Sequence, residues 1–131
     1  MADDLKDITR KTADMLFGNL GQEEGAYNLW RQFDKDLARE ISMFYTGRLY
    51  AREVISQKQR ELCAVAALTV RNFKDELRVH IHAAMNVGAT RQEVAEVIFQ
   101  MATYGGVPCM VEGFKILKTA LKERGEWEET K

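Results

Sequence analysis

Proline and cysteine are nearly absent from this sequence. Pro108 is the single proline and Cys63 and Cys109 are the two cysteines in a chain of 131 residues. So little proline leaves long helices uninterrupted. Two distant cysteines in apolar stretches are not the framework of a disulfide-stapled secreted domain and read as structural thiols. A surplus of either charge is also missing: 19 basic and 20 acidic residues give a net charge of −1. A nucleic-acid partner, which needs a basic surface, is therefore unsupported. The longest apolar run, residues 62–68, is too short to cross a bilayer. The N-terminus has no apolar signal core, so a cytoplasmic protein is expected.

What is present is an ordinary globular balance, 46% hydrophobic and 30% charged. The length suits a single domain over residues 1–131, with N-terminal helices over 1–55 and a core over 56–125. Six helical segments and no strand are expected. Leu5, Ile8, Thr12, Met15 and Leu16 space a first amphipathic helix that stops among the glycines Gly18 and Gly21. A second, continuous helix is expected over 23–45, with Ala26, Trp30, Phe33, Leu37, Ile41 and Phe44 as its seam and Gly47 as its stop. Ser56 and Gln59 have the spacing of a capping box and open a third helix. That helix is apolar or small on every side over 62–70, which predicts a central, buried position with some of the burial supplied by another subunit. A fourth helix over 74–87 ends at Gly88. Thr90 and Glu93 form a second capping box opening the fifth. Gly105 and Gly106 end it, Pro108 suits the first turn of the sixth, and Gly125 closes that helix before a frayed tail over 126–131.

The chemistry-bearing residues are few. His80 and His82 share the fourth helix, two positions apart, so they point to opposite sides. The pattern places His80 at the edge of the core and His82 outward or at a subunit contact. Glu76 precedes His80 by one helical turn. A carboxylate there fixes the imidazole tautomer, or is simply one half of a surface pair. Glu61 opens the apolar third helix and reads first as its last solvated residue, second as a carboxyl at a pocket mouth. Tyr104 is either a pocket wall or a core aromatic. No metal site is expected, because a His-x-His pair on a helix diverges. No glycine-rich loop follows a strand, so no nucleotide cofactor is implied.

These residues fall in a recurring set of blocks. They are Arg60-Glu61-Leu62, an Ala-rich run over 64–68, Glu76-Leu77 with His80 three further on, and Ala83-Ala84-Met85-Asn86-Val87-Gly88. Then come Thr90 with Glu93, Glu96 with Gln100, and Tyr104-Gly105-Gly106-Val107-Pro108. In content and spacing they resemble the carboxymuconolactone decarboxylase family.

The resemblance implies an all-α, AhpD-like domain of about six helices around a central antiparallel helical hairpin, assembled as a trimer or hexamer. It implies cofactor-free decarboxylation of a small anionic substrate, γ-carboxymuconolactone or a related lactone or keto acid, in aromatic-compound breakdown. The AhpD-like thiol reductases of the same superfamily carry Cys-x-x-Cys-x-x-x-His and an upstream Glu. Here that His falls on His80 and the Glu on Glu61, but the cysteine positions hold Phe73 and Glu76. Disulfide chemistry is thus disfavoured, while His80, Glu76 and Glu61 become candidate catalytic residues. Tyr104 and an arginine, one of Arg60, Arg71 and Arg78, become candidate substrate-binding residues. The stretch 45–54 lacks the proline that decarboxylases of the aromatic pathway carry there, so the pocket differs. The alternative is a non-catalytic oligomer of the same fold that binds a small ligand, with His80 and Glu76 as helix-contact residues.

Overall fold

The computed structural model describes residues 2–21 and 25–131, all helix, turn and loop. The chain divides into two compact units, Met1–Gln57 and Lys58–Lys131. Among the described residues no helix is long and apolar enough to cross a membrane.

The first unit contains α1 (Ala2–Phe17), α2 (Ala26–Arg31) and α3 (Lys35–Ser42), which runs on into a π-helical segment, Met43–Leu49. Thr12 and Leu16 are buried on α1, whereas Ile8 and Met15 stay exposed. The single long helix expected over 23–45 is not formed; its start also lies outside the described residues. The break falls at Asp34, whose backbone is extended and whose side chain accepts from the Leu37 N–H at 2.9 Å. An aspartate that caps a new helix competes with continuation of the old one. Phe33, just before the cap, is left 86% exposed. Gly47, expected to stop that helix, instead lies buried within the π-helical segment. There it gives α1 room to pass, since a Cβ would collide with Thr9 and Leu5.

The second unit contains α4 (Gln57–Arg71, its first residue belonging to the other unit), α5 (Lys74–Asn86), α6 (Arg91–Gly105) and α7 (Val107–Glu123). Its core joins Val65 of α4, Leu77, Ile81 and Ala84 of α5, Val94 and Ile98 of α6, and Leu117 and Leu121 of α7. The capping box expected at Thr90 and Glu93 is formed in both directions, at 2.9 and 3.0 Å. Gly106, at φ +93°, turns α6 into α7 in a conformation that L side chains rarely adopt. Pro108 sits in the first turn of α7.

Within one chain α4 buries the line Glu61, Val65 and Thr69, with Leu62 and Leu68 partly buried against the core. Cys63 and Ala67 face outward. The tail is not free from its first residue: Glu126 N–H reaches back to the Leu121 carbonyl at 2.8 Å and Trp127 packs on the core. Helix spacing in this unit depends on Gly113. A Cβ there would lie 2.9 Å from Ile98 Cγ2 and 3.2 Å from Thr69 Cγ2. Replacing Gly113 with Val is expected to destabilise the protein by about 2–3 kcal/mol through overpacking. Urea denaturation checks this, and an unchanged midpoint would show that the helices yield freely.

Candidate functional site

The site is built on the turn between α4 and α5. Asn72 follows the last residue of α4 with φ +58°, the left-handed conformation that asparagine tolerates best after glycine. Asn72 N–H donates to the Thr69 carbonyl and Phe73 N–H to the Leu68 carbonyl, both at 3.1 Å. These bonds close the end of α4 and send the chain back as α5. The Arg71 guanidinium covers the turn, 4.9 Å above the Phe73 ring. The reversal brings His80 of α5 to Glu61 of α4.

Glu61 has no exposed surface, and its Oε2 lies 2.7 Å from His80 Nδ1. The solvated reading of Glu61 is therefore overturned: its place on the same helix face as Val65 and Thr69 carries it inside. Its second oxygen, Oε1, is buried without a hydrogen-bond partner. Glu76 occupies the other side of the ring, its Oε2 4.0 Å from His80 Nε2, and its side chain is 56% exposed. That separation is too long for a hydrogen bond. Glu61, nineteen positions away, is thus the group that orients the imidazole, and Glu76 is not.

The chemistry follows from this asymmetry. A carboxylate that accepts at this distance places the proton of the pair on Nδ1. Nε2 is left as the nitrogen that can give or take a proton from another molecule. A carboxylate in this position can orient the ring as one does in a catalytic triad. Such an arrangement can exchange a proton with a bound molecule.

His82 behaves otherwise than expected. It is 3% exposed, not outward-facing, because α7 ends against that side of α5. Its Nε2 lies 3.4 Å from Glu123 Oε1 and its Nδ1 3.3 Å from Arg124 Nη1. Arg124 also donates to Asn86 Oδ1 at 3.0 Å. Arg78 Nε donates to both oxygens of Glu123, at 2.7 and 3.0 Å. Burial pushes the His82 pKa below its ordinary value of 6.5, outweighing the hydrogen bond to Glu123 that raises it. The hydrogen bond from Arg78 holds Glu123 below its ordinary 4.5. No local sequence pattern announces this group, since its members come from α5 and the end of α7, 38 to 45 positions apart.

Arg78 is engaged with Glu123 and Arg71 with Phe73. Arg60 is half-buried and adjoins Glu61 in sequence. Tyr104 is 70% exposed near the end of α6 and is not a core aromatic. Cys63 is exposed and Cys109 buried, both as free thiols. The Cys109 thiol lies 3.1 Å from the Gly106 carbonyl. Among the described residues no three His, Cys, Asp or Glu side chains are grouped to hold a metal ion.

Residues 35–119 match the carboxymuconolactone decarboxylase family. The chain is 35% identical over 82 residues to an uncharacterised 15.0 kDa protein of Paracoccus denitrificans, covering 61% of each chain. It is 30% identical over 93 residues to the 4-carboxymuconolactone decarboxylase of Acinetobacter baylyi, covering 71% of this chain and 69% of that one. A nitrosuccinic acid decarboxylase of Metarhizium robertsii is 26% identical over 90 residues, 66% of this chain and 63% of its own. The matched region thus spans between 61% and 69% of the length of these relatives.

Two measurements test the geometry. Nitrogen-15 NMR of neutral His80 should show the proton on Nδ1, the minor tautomer of free imidazole; a proton on Nε2 would remove Glu61 as its acceptor. The second concerns stability against pH. A histidine with a lowered folded pKa contributes fully above its unfolded value of 6.5, and that contribution is lost as the pH falls through the folded value. The melting temperature should therefore drop on acidification below about 6.5, before the loss from Glu123 below about 4.5. In His82→Asn the first drop should vanish, and an unchanged profile would exclude His82 as its source.

Proposed function

The chain belongs to the carboxymuconolactone decarboxylase family, and on that basis we propose that it is a cofactor-free carboxy-lyase acting on a small lactone- or keto-type carboxylic acid. γ-Carboxymuconolactone is the first substrate to try, in line with the name of the Acinetobacter relative. The observation that carries this reading is the 2.7 Å pairing of His80 with a fully buried Glu61. Decarboxylation leaves an electron pair on carbon, delocalised as an enolate, and that carbon must receive a proton. His80 Nε2 delivers it. Glu61 holds the ring and stabilises its charged form until the proton leaves. Arg60 supplies a cation for the substrate's acid group and Tyr104 a hydrogen bond to its lactone or keto oxygen. Water and buffer then reload Nε2.

This reading goes with a cytoplasmic homo-oligomer, trimer or hexamer, serving aromatic-compound breakdown. Oligomerisation is supported by the large apolar side chains left open in each unit. Phe33 and Val54 are 86% and 75% exposed in the first, Phe99 and Val107 55% and 59% in the second. Light scattering at micromolar concentration should give a mass of three or six chains, and a stable monomer would exclude the assembly.

The deciding experiment follows loss of γ-carboxymuconolactone together with CO₂ release. Turnover by the intact protein should disappear in His80→Ala and fall on the order of 10²-fold in Glu61→Gln. No turnover by the intact protein would remove this substrate. Full activity of His80→Ala would remove His80 as the proton donor.

A further inference from the structure

The C-terminal end of the core unit is fastened by a set of contacts that the proposed chemistry does not use. Arg124, directly after α7, points back to α5, where it donates to Asn86 Oδ1 at 3.0 Å and faces His82 Nδ1 at 3.3 Å. Gly125 follows at φ +71°, and a side chain there would meet nothing within 4 Å. The chain then folds back. Glu126 N–H donates to the Leu121 carbonyl at 2.8 Å, and the Glu126 carboxylate lies 3.4 Å from Arg124 Nε. Trp127 lands on the core between two cations, with Arg91 5.1 Å and Lys118 4.8 Å from its ring centre.

The tautomer of His82 decides whether this arrangement holds. A guanidinium only donates, so Nδ1 accepts from Arg124 and the ring proton sits on Nε2, towards Glu123. This fit requires a neutral ring. A second proton, on Nδ1, would turn the Arg124 contact into donor against donor and cation against cation. The groups facing His82 are Arg78 and Asn86 from α5, Glu123 and Arg124 from α7 and, through Arg124, Glu126. Glu123 stays with the charged ring, because its bonds from Arg78 do not depend on Nδ1. Arg124 is the partner that must leave.

We propose that the segment from Arg124 to Trp127 is a strap that lies closed on the core unit while His82 is neutral and opens when His82 takes up a proton. Solvent supplies the proton, Nδ1 receives it, and the hydrogen bond from Arg124 is the one broken. The swing is taken up at Gly125. The low pKa that burial gives His82 keeps the strap closed at neutral pH and sets its opening on the acid side.

Trp127 reports the state of the strap, and replacing Trp30 with Phe makes it the sole tryptophan of the chain. In that background the emission of Trp127 should move to the red as the pH is lowered from about 6.5 to about 4.5, with helix content by circular dichroism unchanged. His82→Asn keeps an acceptor near the Nδ1 position but cannot titrate, so its emission should stay blue across the same range. Arg124→Ala should be red already at neutral pH and show no further transition. The proposal is overturned by the same transition persisting in His82→Asn, or by emission that stays blue until helix content itself is lost. Should His82→Asn fail to fold, Arg124→Ala decides, because blue emission at neutral pH would mean that Arg124 does not hold the strap.

Discussion

A carboxylate without any contact with solvent stands on α4, and the rest of the core unit is arranged around that fact. Burying Glu61 in its charged form is unfavourable by several kcal/mol unless a donor meets it. His80 is that donor, so α5 cannot rotate or slide without exposing the cost. The turn at Asn72 sets the direction of α5 and the apolar line Leu77, Ile81 and Ala84 holds it down. The Glu61 pair then selects the register. Hydrophobic packing alone tolerates small shifts along a helix; a 2.7 Å hydrogen bond does not.

The same helix is fixed from its opposite side by a second acid–histidine contact, and the two differ in consequence. At His80 the carboxylate is buried and the ring partly open, so a proton can be exchanged with a bound molecule while the charge behind it stays. At His82 the ring is buried and its carboxylate is shared with Arg78 at the surface. Burial outweighs what Glu123 offers the charged form of that ring, and charging it also loses Arg124. The two histidines thus meet different environments because they lie on opposite faces of one helix.

Local signals in the sequence were read well where the backbone itself answers them. Thr90 with Glu93, Gly106 and Pro108 mark helix ends through hydrogen bonds and dihedral preferences spanning only a few residues, and the structure places the ends there. Asp34 is a signal of the same kind, masked by the regular helical spacing of Trp30, Phe33 and Leu37. Burial was less legible. The composition of α4 suggests a helix buried on all sides, yet which line turns inward depends on α5, α6 and α7, and the line chosen contains Glu61 and Thr69. The assignment of Glu76 as the orienting partner of His80 rested on helical spacing. Spacing guarantees proximity of Cβ atoms, not a hydrogen bond, and a tertiary partner nineteen positions away was out of its reach.

Gly113 makes α7 depend on its neighbours. A glycine in mid-helix lowers intrinsic helix stability by about 1 kcal/mol relative to alanine. Here the space above it is filled by Ile98 and Thr69, so α7 keeps a weak centre for the sake of close contact. The helicity of α7 therefore depends on its docking against Ile98 of α6 and Thr69 of α4 as well as on its own sequence.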